Sequence, residues 1–244
     1  MPALDPVTGT GPTHDLAEVM SRTVRRLQQE HRDVEGTLQA ITATAIEVVP
    51  HAEECGISYV IGRSEVEPRA STSDLPREVE ALQERIGQGP CLDAVGESGV
   101  VRVDDVGADT RWPDFCRQAP ALGGGGMLCC QLFVDGDQLG ALDLYAGRPG
   151  AFDDESQVLG QLFAAHAAVA IAGAEHEENL RTAVGSRDLV GQAEGILVER
   201  HEITADQAFG VLVQVSQEVD RKLSDVAGEL TDTGAVPSGN RRRA

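Results

Sequence analysis

Residues 127–146 read "MLCCQLFVDGDQLGALDLYA". Two apolar runs flank Asp135-Gly136, the pair that favours the tight turn of a β-hairpin. Reading outward, "GVVRVDDV" (99–106) is a short strand before the hairpin, and "CGISYVIG" (55–62) is an earlier one. Between them, "PREVEALQERIG" (76–87) reads as a helix that stops at glycine. After the hairpin, "FDDESQVLGQLFAAHAAVAIAGA" (152–174) is a long, broadly apolar helix. Asp153 is placed to cap it, and acids fill its first turn. The order helix, strands, helix, strands, helix predicts an α+β fold, an antiparallel sheet covered by helices.

Further out lie two different flanks. Residues 1–13 hold three prolines and two glycines and read as a loose tail. From Val24 the positions Val24, Leu27, His31, Val34, Leu38, Ile41, Ala45 and Val48 step by three and four, and all but the histidine are apolar. That is the period of a heptad seam, which favours self-association as a homodimer over a helix lying on its own domain. Pro50 ends it. On the other flank the chain turns polar at "EHEENLRTAVGSRD" (175–188), an exposed continuation of the long helix. Leu180 and Val184 keep an apolar stripe there. Then comes "GQAEGILVERHEITADQAFGVL" (191–212). Thr204 and Gln207 form a capping box, so one helix ends near His201 and another begins at Thr204. Ala208, Leu212, Val215 and Val219 give that helix one apolar face. Asp220 is expected to cap a third helix, which ends near Gly234. Ala193, Ile196, Leu197, Ala208, Phe209 and Leu212 are expected in the core of this small bundle. The glycines of "GQAEG" are expected to admit a close neighbouring helix.

Composition bounds the function. The chain has 244 residues, room for two domains, and 41% hydrophobic residues, enough for real cores. Its net charge of −20 opposes nucleic acid at long range, so any such partner needs a locally basic face. No secretory leader or run of about 20 apolar residues stands out, which implies a cytoplasmic protein with no membrane partner. The five cysteines are irregularly spaced and read as free thiols, with neither a disulfide framework nor a metal site.

The pattern carried by Ser186, Arg187, Gly191, Gln192, Ala193, Gly195, Ile196, Leu197 and Arg200 continues through Ala208, Phe209, Leu212, Ser216, Arg221, Lys222, Leu223, Val226 and Ala227. It resembles the ANTAR domain, a bacterial three-helix RNA-binding antiterminator module. "GQGPCLDAV" (87–95), "DTRWPDF" (109–115), "LGALDLYA" and "AFDDE" resemble the GAF domains, sensors of small molecules or redox state. Together the resemblances imply a GAF-like antiparallel sheet flanked by helices, then a long helix leading into a C-terminal three-helix ANTAR bundle. The domains would run 1–13 (tail), 14–174 (GAF-like sensor with the heptad helix), 175–237 (ANTAR-like) and 238–244 (basic tail).

The first resemblance implies RNA hairpins as partner. Arg187, Arg200, Arg221 and Lys222 would meet phosphates, while Ser186, Gln192, Gln214 and Ser216 would supply polar contacts. The chain departs from the family pattern at Glu194, Val213 and Asp220, where lysine, arginine and asparagine are usual. Residues 178–239 carry five basic against eleven acidic side chains. The alternative reading is a dimeric GAF signalling protein whose bundle binds a protein partner.

The second resemblance implies an unidentified small-molecule signal, with no certain cofactor. Cys91 is either a redox sensor or a small buried hydrophobe. Asp93, Arg111 and Trp112 either line a ligand pocket or pack and pair. His166 is expected to be an ordinary packed histidine rather than a metal ligand. The run "GGGG" (123–126) reads as a flexible loop. No catalytic cluster is visible, and no second cysteine is poised to resolve a Cys91 intermediate, so an enzyme is not expected.

Overall fold

The computed structural model describes residues 33–61, 65–134 and 137–237, which divide into two compact units at Glu175/His176. In the first unit, helix α1 (Val34–Val48) starts at Asp33, whose carboxylate accepts from the Gly36 N–H at 2.6 Å. Strands β1 (Glu54–Ile61) and β2 (Glu65–Ser71) follow, then helix α2 (Asp74–Ile86) and the short α3 (Pro90–Asp93), which runs into a π-helical turn (Ala94–Ser98). Strand β3 (Val100–Val103), helix α4 (Pro113–Gln118), a 3₁₀ turn (Ala119–Leu122) and the hairpin β4 (Gly126–Val134) and β5 (Asp137–Ala146) complete the sheet. Its order is β2-β1-β5-β4-β3, antiparallel throughout. The expected Asp135-Gly136 turn lies outside the described residues, but Val134 pairs with Asp137, the register a two-residue turn requires.

The sheet is buried on both faces, which is why its central strands read as continuous apolar runs rather than as clean alternation. Leu128, Cys130, Leu132, Leu142 and Leu144 face α1 and helix α5 (Asp154–His201). Met127, Cys129, Ala141 and Tyr145 face α2, α3 and α4. Cys129 and Cys130 therefore occupy opposite faces, and all five cysteines are free.

Strand β2 escaped the sequence reading because Pro68 argues against a strand. It is tolerated because β2 is the sheet edge, beside a register shift at Ile57/Ser58.

Three expectations change in this unit. Leu38, Ile41 and Ala45 of the heptad pattern are fully buried against the unit's own sheet and α5. From Val34 onward, then, the stripe serves the intradomain core. Val24, Leu27 and His31 lie outside the described residues. The "GGGG" run is not a loose loop. Gly123 ends the 3₁₀ turn in the left-handed region, and Gly125 donates to Ala146 O at 2.9 Å and accepts from Val106 N at 3.0 Å. A side chain at Gly125 would sit 2.4 Å from Gly147 O. Finally, α5 passes the length and composition test for a membrane span with a mean hydropathy of 1.4, alone among the described residues. The sequence leads one to expect no run of that kind, yet the buried stripe Leu159, Phe163, Ala167 and Ile171 belongs to the first unit's core.

In the second unit, the C-terminal part of α5 meets α6 (Ala205–Val219) and α7 (Leu223–Thr233). Ala193, Leu197, Ala208, Leu212, Val226, Ala227 and Leu230 are its buried centre. The Thr204–Gln207 capping box is formed, with Gln207 N to Thr204 Oγ1 at 3.3 Å and Thr204 N to Gln207 Oε1 at 3.0 Å. We predict that Thr204→Ala costs the second unit about 1 kcal/mol. Thermal melts followed by circular dichroism check it.

Asp220 does not cap α7. It terminates α6 in the left-handed region (φ 52°), and Lys222 stands at the α7 N-cap without a side-chain bond. Only three residues separate the helices, so Asp220 is needed to reverse the chain, a conformation aspartate tolerates. Phe209 is not in the core but 44% exposed. It sits about 100° around the helix from Ala208, at the edge of the buried stripe. Gly191 and Gly195 have open space where a side chain would go, so no helix is packed close there. Ala193, fully buried, is the small residue at the helix crossing.

Candidate nucleic-acid interface and sensor interior

The interior of the first unit holds a polar cluster that sequence reasoning missed. Ser58, Glu80, Gln83 and Asp143 are all fully buried. Glu80 and Gln83 lie on the apolar face of α2 beside Val79 and Leu82, and Asp143 interrupts β5 between Ala141 and Tyr145. That misplaced polarity was the available signal. Glu80 can reach the sheet because residue 56 is glycine: a side chain there would lie 2.5 Å from Glu80 Oε1. Ser58 Oγ donates to Asp143 Oδ2 at 3.3 Å and lies 3.3 Å from Cys91 Sγ. Gln83 Oε1 accepts from Cys91 N at 2.9 Å. Both Glu80 oxygens, Asp143 Oδ1, Gln83 Nε2 and the Tyr145 hydroxyl have no partner. Desolvation first, and the neighbouring Asp143 second, push Glu80 up to about 9. Desolvation pushes Asp143 up to about 6, against the hydrogen bonds around it.

The four residues expected at a ligand site divide. Cys91 belongs to this interior, and burial pushes its thiol well up, the opposite of a poised nucleophile. Trp112, 4% exposed, shares the apolar core with Cys91 and donates through Nε1 to Asp93 Oδ2 at 2.9 Å. Arg111 stacks on Trp112 at 4.3 Å, pairs with Asp109 at 2.6 Å and donates to Arg102 O at 2.8 Å. That pairing holds the Asp109 carboxyl below its ordinary range. Asp93 and Arg111 are thus exposed residues joined through the buried Trp112. His166 is exposed rather than packed, with Nδ1 at 2.8 Å from Leu162 O.

In the second unit the eight residues expected to meet RNA also divide. Arg200 donates to Gly234 O at 2.6 Å and so satisfies the C-terminus of α7. Arg221 pairs with Glu229 at 2.5 Å. Gln214 donates to Glu218 at 2.9 Å, and Ser216 to Arg221 O at 2.6 Å. Arg187, Gln192 and Lys222 are exposed and carry no ion pair or side-chain hydrogen bond among the described residues. Ser186 and Arg187 line an open groove of about 560 Å³ together with Glu194 and Phe209.

Comparison with known proteins agrees with this division. The family model described as GAF domain matches residues 31–172, and that described as ANTAR domain matches residues 178–230. No curated protein matches the chain. Among solved structures, a bacteriophytochrome from the photosynthetic bacterium R. palustris aligns over 88% of this chain with a TM-score of 0.57 and 12% identity. This chain spans 48% of that protein's length. A free methionine-R-sulfoxide reductase from Neisseria meningitidis, solved with its substrate, aligns over 72% of this chain and 99% of its own (TM-score 0.51, 19% identity). The GAF domain of a phosphoenolpyruvate-protein phosphotransferase from Coxiella burnetii aligns over 69% and 99% (TM-score 0.55, 17% identity). At these identities the likeness is one of fold. GAF domains are sensors and ANTAR domains are RNA-binding antitermination modules. The chain belongs to the regulators in which a GAF domain is followed by an ANTAR domain.

Proposed function

We propose that this chain is a cytoplasmic, sensor-coupled regulator that binds hairpins in nascent transcripts and promotes transcription antitermination. The observation that carries the reading is the succession of a GAF unit and an ANTAR bundle in which Arg187, Gln192 and Lys222 remain exposed and unengaged. Arg187 and Lys222 supply phosphate contacts and Gln192 polar reach to bases. Gln214, Ser216, Arg200 and Arg221 then act mainly by holding the helices that present them, while Ser186 stands on the groove wall beside Arg187. A polar small-molecule signal is the natural partner for the orphaned atoms of Glu80, Gln83, Asp143 and Tyr145, with Cys91 beside them and Asp93, Arg111 and Trp112 as further candidates. The protein acts as a homodimer. Its contact lies along the first unit's part of α5, where Val158, Leu162 and Val169 are exposed.

An electrophoretic shift with a two-hairpin RNA tests the reading. The full chain should retard it at about 50 mM salt and lose affinity steeply towards 200 mM. Absence of a shift in both ligand-free and ligand-treated protein would leave the second reading, a bundle that binds a protein partner. That reading draws on the engagement of Arg200 and Arg221 within the bundle.

A further inference from the structure

Glu80 and Asp143 bring two fully buried carboxyl groups into one interior, and nothing basic answers them there. Among the described residues of the first unit, no lysine, arginine or histidine is buried. Arg77 acts on Glu80 from the surface, where it is exposed and pairs with Asp74 at 3.6 Å. The other groups around the two acids are Cys55 and Ser58 of β1, Cys91 of α3, Cys129 of β4 and Tyr145 of β5. Burial pushes the three thiols and the phenol well up, so they stay neutral at physiological pH.

The hydrogen-bond inventory leans the same way. Both Glu80 oxygens and Asp143 Oδ1 are without a partner, as are Gln83 Nε2 and the Tyr145 hydroxyl. Every one belongs to a fully buried residue, where an unanswered polar group is costly. A ligand that answers the carboxyl oxygens must donate several hydrogen bonds and carry positive charge. A phosphate or carboxylate would instead meet two acids with no interior base. A metal ion lacks its ligand set, because among the described residues no three His, Cys, Asp or Glu side chains are grouped to hold one. A primary ammonium meets both demands, with three N–H donors and one charge in a compact group.

We propose that the interior of the first unit takes a small primary ammonium compound, its N–H groups donating to Glu80 and Asp143 and its carbon portion in the apolar core that Cys91, Cys129 and Tyr145 share. The proposal rests on the reading of this interior as the sensor's ligand site and names the chemical class of the signal. The ammonium takes the place of the proton that Glu80 keeps in the ligand-free chain. As it binds, one proton leaves Glu80 for solvent, and the charge of the cluster is unchanged. Affinity therefore rises about tenfold per pH unit below about pH 9, where Glu80 of the ligand-free chain is protonated and an alkylamine is still charged.

Melting of the full chain, followed by the emission of Trp112, the lone tryptophan, reads the first unit directly. The probes, at equal ionic strength, are propylammonium chloride, tetramethylammonium chloride, sodium propionate and propionamide. Propylammonium should raise the melting temperature by several degrees, and the other three should leave it unchanged. The rise should be larger at pH 8 than at pH 7. Titration calorimetry in buffers of different ionisation enthalpy should show about one proton released per propylammonium bound. Glu80→Gln, which keeps the side chain's shape, should lose both the rise and the proton release. An equal rise with tetramethylammonium, which has no N–H, overturns the proposal. So does a propylammonium rise that survives Glu80→Gln or comes without proton release. A rise with propionate or propionamide alone, lost in Glu80→Gln, overturns it too but upholds the interior as a ligand site. Silence from all four probes overturns the proposal and that reading of the interior together.

Discussion

Glu80→Gln is expected to make the first unit more stable than the parent at pH 8 by a few kcal/mol, and to flatten its dependence on pH. In the folded chain Glu80 is pushed up to about 9 by burial and by the Asp143 carboxylate. In the unfolded chain an ordinary glutamate releases its proton near 4.3. Between those values the folded state holds a proton that the unfolded state has lost, so stability falls as pH rises. Asp143, pushed up to about 6, acts in the same direction over a narrower window at the acid end. Each such group contributes at most about 1.4 kcal/mol per pH unit. Glutamine removes the Glu80 contribution while keeping the side chain's shape. Denaturant midpoints at pH 5, 6.5 and 8 give the answer. A parent whose stability rises between pH 5 and pH 8, or a variant as steep as the parent, would show that Glu80 is not held neutral.

Gly140→Ala is expected to cost on the order of 3 kcal/mol or more, with loss of soluble protein as an accompanying outcome. Gly140 is on β5, opposite Tyr59 of β1 and Leu132 of β4, so it sits in the middle of the sheet. Its φ is +155°, and a side chain would lie 1.9 Å from Ser58 O and 2.8 Å from the Tyr59 Cα. Both are backbone atoms of a paired strand and cannot move without opening the β1–β5 ladder. Gly124→Ala, where nothing lies within 4 Å, is the matched control and should be near neutral. Equal melting temperatures for the two variants would overturn the argument.

The contrast between these positions shows what sequence carries and what it hides. The β4–β5 hairpin, the stop at Gly87 and the Thr204–Gln207 box were legible because each depends on neighbours within a few residues. The two-unit order was legible from motifs. The polar cluster was not, because Gly56, Glu80 and Asp143 meet only after three distant elements have packed. Phe209 was misjudged because helical periodicity gives a stripe but not its edge. Asp220 was misassigned because the same residue type suits the end of one helix and the start of the next. Arg200 and Arg221 looked like free cations because nothing in the local sequence discloses the Gly234 carbonyl or Glu229 as partners.

The burial of the thiols reaches into the laboratory. All five cysteines and the lone tryptophan fall in the first unit, and each is buried. Among the described residues, the second unit holds neither residue type. The chain therefore carries an unengineered pair of reporters for one half of itself. Alkylation of its thiols and the emission of Trp112 follow the opening of the sensor unit, while the helical bundle contributes nothing to either signal. Effector molecules can thus be screened by how far they slow thiol capture, without labels and without knowledge of the RNA.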